Sequence, residues 1–175
     1  MDFATDYLHD VIEQFGKLKA LADGAIAQVD DDELFRQIDE ESNSLAIIMR
    51  HVGGNLRSRF SGLLTSDGEK PDRHRDGEFE MPPGTSRETV LAQWDLGFAR
   101  LNAALAALTP ADLARDVAIR GQKLSVVQAL DRSLSHTSMH IGQIVFLAKH
   151  LRRAEWRTLS IPRGQSDTFS GQPRF

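Results

Sequence analysis

The sequence predicts an all-α protein: an antiparallel four-helix bundle with a long loop between its second and third helices and a C-terminal tail docked on it. Three observations carry the prediction. Four long stretches repeat apolar residues at steps of three and four, the spacing that gathers them on one helical face. Ser, Thr or Asp stands at the head of each stretch, where a side-chain oxygen can accept a free backbone N–H. The chain has 175 residues, the length of one domain, and shows no repeat at solenoid periods, so residues 1–175 are read as a single unit.

The first helix is expected over residues 2–28, capped by Asp2, with Phe3, Tyr7, Val11, Phe15, Leu18, Ala22 and Ile26 as its stripe. The acidic run Asp30, Asp31, Asp32, Glu33 then opens a short connecting turn through Phe35. The second helix is expected over 41–64, capped by Ser42 or Asp39, with Leu45, Ile48, Met49, Val52, Leu56, Phe60 and Leu63 inward. Inside it, Gly53 and Gly54 each cost about 1 kcal/mol against alanine. Such a pair suits close packing, against another helix or a dimer partner. Residues 65–84 form the longest irregular stretch, and loops of that length are usually functional or disordered. Its alternating charges fit a folded, self-paired loop and a solvated one equally.

The third helix is expected over 86–108, with Thr85-x-x-Glu88 as a capping box and Leu91, Trp94, Phe98, Leu101, Leu105 and Leu108 as a seam. Thr109-Pro110 ends it. Alternation around Arg120-Gly121-Gln122 reads as a small hairpin or an extended connection. The fourth helix is expected over 126–151, opened by Ser125-x-x-Gln128, with Val127, Leu130, Leu134, Ile141, Ile144, Val145 and Ala148 inward. Lys149, His150, Arg152 and Arg153 suit the negative end of its dipole. In the tail, 152–175, Trp156, Leu159, Ile161 and Phe169 are apolar enough to dock.

Composition excludes several functions. The chain has no cysteine, so disulfides, thiolate zinc sites, iron–sulfur clusters and a cysteine nucleophile are ruled out. Lys and Arg number 21 against 25 Asp and Glu, a net charge of −4 that argues against a nucleic-acid partner. No apolar run approaches the roughly 20 residues of a membrane span, and Asp2, Asp6 and Asp10 replace the basic start of a signal peptide. A cytoplasmic protein is therefore expected. The zincin, Glu-x-x-His, P-loop, dinucleotide and Gly-x-Ser-x-Gly patterns are all missing.

Six histidines remain. His136 and His140 are four apart on the fourth helix, so their rings lie one turn apart and can chelate one ion. At about 100° per residue both fall at the margin of the apolar face, toward a neighbouring helix. His51 holds the same kind of place on the second helix. Three imidazoles leave coordination positions open, a catalytic rather than a structural pattern for a divalent ion. The other reading is three hydrogen-bonded core histidines. Asn55 and Gln143 stand near as partners that fix ring tautomers, or as ordinary polar residues. His9, His74 and His150 read as surface or loop residues, with His74 a weaker candidate to line the site. Arg59, Arg73 and Arg75 would clamp an anionic substrate, or pair at the surface with Asp67, Asp72, Asp76 and Glu78, which is the simpler reading. Asp6, Asp10 and Glu13 are the acids of the first helix that would reach the site.

The run His136-Thr137-Ser138-Met139-His140-Ile141-Gly142-Gln143-Ile144-Val145 resembles the last-helix signature of the DinB-like (damage-inducible, YfiT-related) superfamily. Ile48-Met49-Arg50-His51-Val52-Gly53-Gly54-Asn55 is similar to the segment that brings that family's remaining histidine. Thr65-Ser66-Asp67-Gly68-Glu69-Lys70-Pro71, with Arg75-Asp76 and Glu78-Phe79, resembles an uncharacterised subgroup. The resemblance covers about residues 5–165. It implies a four-helix bundle, often a homodimer, with zinc or nickel on His51, His136 and His140. Relatives of this kind include transferases and isomerases that use a low-molecular-weight thiol. The resemblance thus implies a metal-dependent enzyme of thiol S-transferase or hydrolase type acting on a small molecule. The alternative is a non-catalytic, metal-stabilised dimer with a binding role in stress response.

Overall fold

The computed structural model describes residues 2–168. Phe169, expected to dock, lies outside the described residues. The protein is mostly helical: α1 (Phe3–Ile26), the short α2 (Asp31–Phe35), α3 (Leu45–Phe60), α4 (Arg87–Ala107) and α5 (Val126–Arg152), with a two-stranded hairpin, β1 (Asp116–Ile119) and β2 (Gln122–Ser125), before α5. The long helices pack chiefly as α3 on α4 and α1 on α5, and α3 also meets α5. Phe15, Met49, Leu56, Trp94, Phe98, Leu101, Leu130 and Ile144 are fully buried between them. Each such side chain contributes roughly 1.5–3 kcal/mol of burial, which outweighs the modest propensity of the isolated helices.

Asp2 and Ser125 cap α1 and α5 as the sequence predicts, Ser125 in a reciprocal box with Gln128. Two starts differ. Asp39 spends its carboxylate on the Glu41 and Ser42 N–H groups at 3.0 and 2.7 Å. That holds a turn, so α3 begins at Leu45 under Ser44 rather than at residue 41. Its far end comes at Phe60, because Gly62 turns the chain with φ +68°. Thr85 donates its hydroxyl to the Pro82 carbonyl at 2.7 Å, leaving Ser86 as the cap of α4. Phe3 does not join the core. It is 82% exposed and only stacks on Tyr7.

Of the two readings for the 111–124 connection, the hairpin is the one that forms. Arg120 and Gly121 take φ of 55° and 71°, the doubly positive turn that matches strand twist. The 65–84 loop is folded and tied to this turn. Asp67 accepts the Arg120 and Gly121 N–H groups at 2.8 and 2.7 Å, and the Gly68 N–H reaches the Ala118 carbonyl at 2.7 Å. In the tail, Trp156 and Leu159 pack on the core, and Gln28 exchanges two hydrogen bonds with the Arg157 backbone.

Gly53 meets α4 within the same chain. A Cβ there would lie 2.7 Å from the Gln93 carbonyl oxygen, and one on Gly97 would lie 2.5 Å from the Gly53 oxygen. The two helices therefore touch backbone to backbone. Gly97→Val should cost about 1–3 kcal/mol by overpacking and lower Tm by roughly 2–4 °C per kcal/mol. Gly16→Ala on α1, where a Cβ meets nothing within 4 Å, should raise it. A melting curve unchanged in Gly97→Val contradicts the close contact.

Candidate metal centre

The packing of α3 on α5 sets His51 against His136 and His140. One ring nitrogen of each lies within 4.8 Å of the others, and the ring centroids are 4.6–5.2 Å apart. His51 is 4% exposed, and its Nε2 is 3.2 Å from Nε2 of His136.

Hydrogen bonds behind the rings decide where the lone pairs point. His51 Nδ1 is 2.9 Å from Oε2 of Glu78, and a carboxylate only accepts. The proton therefore sits on Nδ1 and the Nε2 lone pair faces the other histidines. His140 Nδ1 is 2.8 Å from the Gln143 amide oxygen, which sets the same tautomer. His136 is held neutral: burial first, then His140, His51, Arg73 and Arg59, pull its pKa down to about 4. Burial likewise lowers that of His140, against the Gln143 bond. His136 Nδ1 is buried without a hydrogen-bond partner in the described residues. Three imidazoles thus converge with no carboxylate or thiol among the converging groups. The donor set is compatible with one divalent metal ion. One such ion takes up all three lone pairs, whereas the rings alone can form at most a shared N–H between His51 and His136.

Glu78 is the residue behind the site. Arg73 grips it bidentately, Nε to Oε1 and a terminal nitrogen to Oε2, both at 2.8 Å. Burial pushes the Glu78 carboxyl up, but the bonds from Arg73 and His51 outweigh it and hold the pKa below the ordinary range. Phe79 lays its ring 4.7 Å from that of His51.

Gln143 orients His140. Asn55 is buried on the wall of the adjoining cavity, and no hydrogen bond joins it to a histidine among the described residues. The expected surface pairing of Arg73 with Glu78 is a buried one: the Arg73 side chain is 2% exposed. Arg59 is likewise taken by Glu69 at 2.9 Å. His74 accepts the Gly77 N–H at 3.1 Å and stays apart from the cluster. Asp6, Asp10 and Glu13 do not reach it. All three are exposed, Asp10 bonding Gln14 and Glu13 pairing with Lys17. Sequence reasoning missed the role of Glu78. Its one trace is Gly54, where a Cβ would collide with the Glu78 carboxylate.

The sequence model of one protein family, described as Protein of unknown function (DUF1572), matches residues 2–165. The chain belongs to this family. That description names no activity, and no curated protein and no solved structure matches the chain. No helix among the described residues is long and apolar enough to cross a membrane.

Glu78→Gln should weaken zinc binding 10–100-fold, the usual effect of losing a partner behind a metal-ligating imidazole. Competition against a chromophoric chelator measures it, and an unchanged affinity contradicts the role. In metal-free protein, His136 titrates near 4 folded and near its ordinary 6.5 unfolded. Between those values the unfolded chain binds the proton and the folded one does not, so stability falls as pH drops through that window. Glu78, lowered from its ordinary 4.5, adds to the loss at the acid edge of that window. Urea melts of His136→Gln should show a shallower slope there. The same slope as wild type contradicts the assignment.

Proposed function

We propose that this protein binds one divalent metal ion, zinc or nickel, through Nε2 of His51, His136 and His140, and works as a metal-dependent enzyme on a small molecule. The supporting observation is the set of tautomers: Glu78 and Gln143 each fix a proton on Nδ1 and leave Nε2 lone pairs turned toward one point. Such a set has no obvious use in a purely structural core, where histidines donate and accept within the protein. With three protein ligands, coordination positions stay open.

An ion bound there supplies Lewis-acid chemistry, lowering the pKa of a water or thiol ligand and polarising a carbonyl. The chain's own residues hold the donors. Glu78, gripped by Arg73, keeps His51 in one tautomer and one orientation. Gln143 does the same for His140 from one turn along α5. The low pKa of His136 keeps a neutral ligand available well below pH 7. Phe79 and α3 shield His51 from bulk water.

This reading extends the DinB-like resemblance. In it the four long helices form an antiparallel four-helix bundle, the protein is a homodimer, and the reaction is thiol S-transfer with a low-molecular-weight thiol as co-substrate, or hydrolysis. The glycine pair offers the dimer no help, since Gly53 packs on α4 and Gly54 makes room for Glu78. Metal content by plasma mass spectrometry tests the core of the proposal. Wild-type protein should carry about one equivalent, and His51→Ala, His136→Ala and His140→Ala should each lose it. Full loading in the variants, or none in wild type after soaking in zinc or nickel, contradicts it.

A further inference from the structure

Against the histidine cluster lies a cavity of about 190 Å³. His51 and His136 form part of its wall. Five arginines, Arg59, Arg73, Arg75, Arg120 and Arg132, form much of the rest, and no carboxylate lines it. They come from four places: α3, the folded loop, the hairpin turn and α5. Convergence from separate elements is not the pattern of a solvated charge run on one helix face.

The acids that touch these cations are too few to neutralise all five. Glu69 and Glu78 reach them from behind the wall. Glu78 is taken up by Arg73, and Oε2 of Glu69 is shared between Arg59 at 2.9 Å and Arg120 at 3.0 Å. Two acids therefore serve three guanidinium groups. Among the described residues Arg132 has no acid partner and donates to the Gln122 amide oxygen at 3.4 Å. Arg75 lies over the Phe79 ring and pairs at 3.5 Å with Asp76, whose side chain is 90% exposed. An exposed pair of that kind contributes little. The surplus is positive and faces the cavity. Burial, with Arg73 and Arg120 close by, depresses the Arg59 pKa despite Glu69, as expected where cations crowd together.

Guanidinium forks match the planar oxygens of carboxylate and phosphate, and Arg is the residue of choice for holding them. The volume lies below the 300–1,000 Å³ of pockets for drug-sized ligands, which restricts the occupant to a small molecule. We propose that the cavity binds a small dianion, its carboxylate or phosphate held by Arg75, Arg120 and Arg132 and its other end toward His51 and His136. The anion site itself stands on the arginines. That its occupant is the substrate rests on the metal reading above.

Calorimetric titration of the chelator-treated full chain at low salt tests the site, with succinate and inorganic phosphate as probes and succinamide as the neutral control. One of the two dianions should bind with one-to-one stoichiometry and succinamide should not. Whichever binds tighter tells carboxylate from phosphate. The double variant Arg75→Met/Arg132→Met replaces two exposed side chains, so it should melt as wild type does, yet bind the dianion at least tenfold more weakly. Absence of dianion binding in wild type, or unchanged affinity in the double variant, overturns the proposal. A zinc titration without anion, run alongside, separates the two readings. Zinc binding without dianion binding overturns the anion site alone. Dianion binding without zinc binding overturns the metal reading and leaves the anion site standing.

Discussion

The Arg73–Glu78–His51 chain of contacts is the constraint on which the rest of the site depends. Glu78 lies in a loop, yet it is nearly enclosed, and it meets a guanidinium on one side and an imidazole on the other. A buried carboxylate is tolerable only with such partners, and removing one partner of a buried pair typically costs 3–5 kcal/mol. The same contact folds the loop over α3 and fixes the His51 proton. Structure and chemistry are therefore coupled at one carboxylate, and Gly54 is the space that lets it approach.

A second set of bonds completes the enclosure. Asp67 and Gly68 fasten the start of the loop to the hairpin, and Glu69 ties Arg59 of α3 to Arg120 of the turn. The doubly positive turn at Arg120-Gly121 is what presents those two N–H groups to one carboxylate. Loop, hairpin and α3 then hold one another in place, and the cavity beside the histidines is what they leave between them and α5. The scaffold below is conventional apolar packing, with the backbone contact of Gly53 and Gly97 bringing α3 and α4 close.

Much of this was legible in the sequence, for physical reasons. Helix periodicity is local, so the four long helices and the Ser125 cap followed from spacing alone, as did the shared face of His136 and His140. His51 could be placed beside them only by counting around its helix and by the family resemblance. What failed were competitions between near neighbours: Asp39 drew its cap into a turn ahead of α3, and Ser86 rather than Thr85 started α4. Phe3 looked like core because periodicity does not say where the opposing surface ends. The burial of Arg73 with Glu78, and the arrival of Arg120 and Arg132 at one cavity, depend on a loop folding back over α3. Alternating charges in a loop carry no record of that.

Three imidazoles, fixed from behind, are placed to share one divalent ion. X-ray absorption at the zinc edge of the zinc-loaded protein reads that shell directly. Three imidazole nitrogens at about 2.0–2.1 Å, with the remaining position filled by oxygen, are the expected result. A shell of oxygens with one imidazole or none would contradict it.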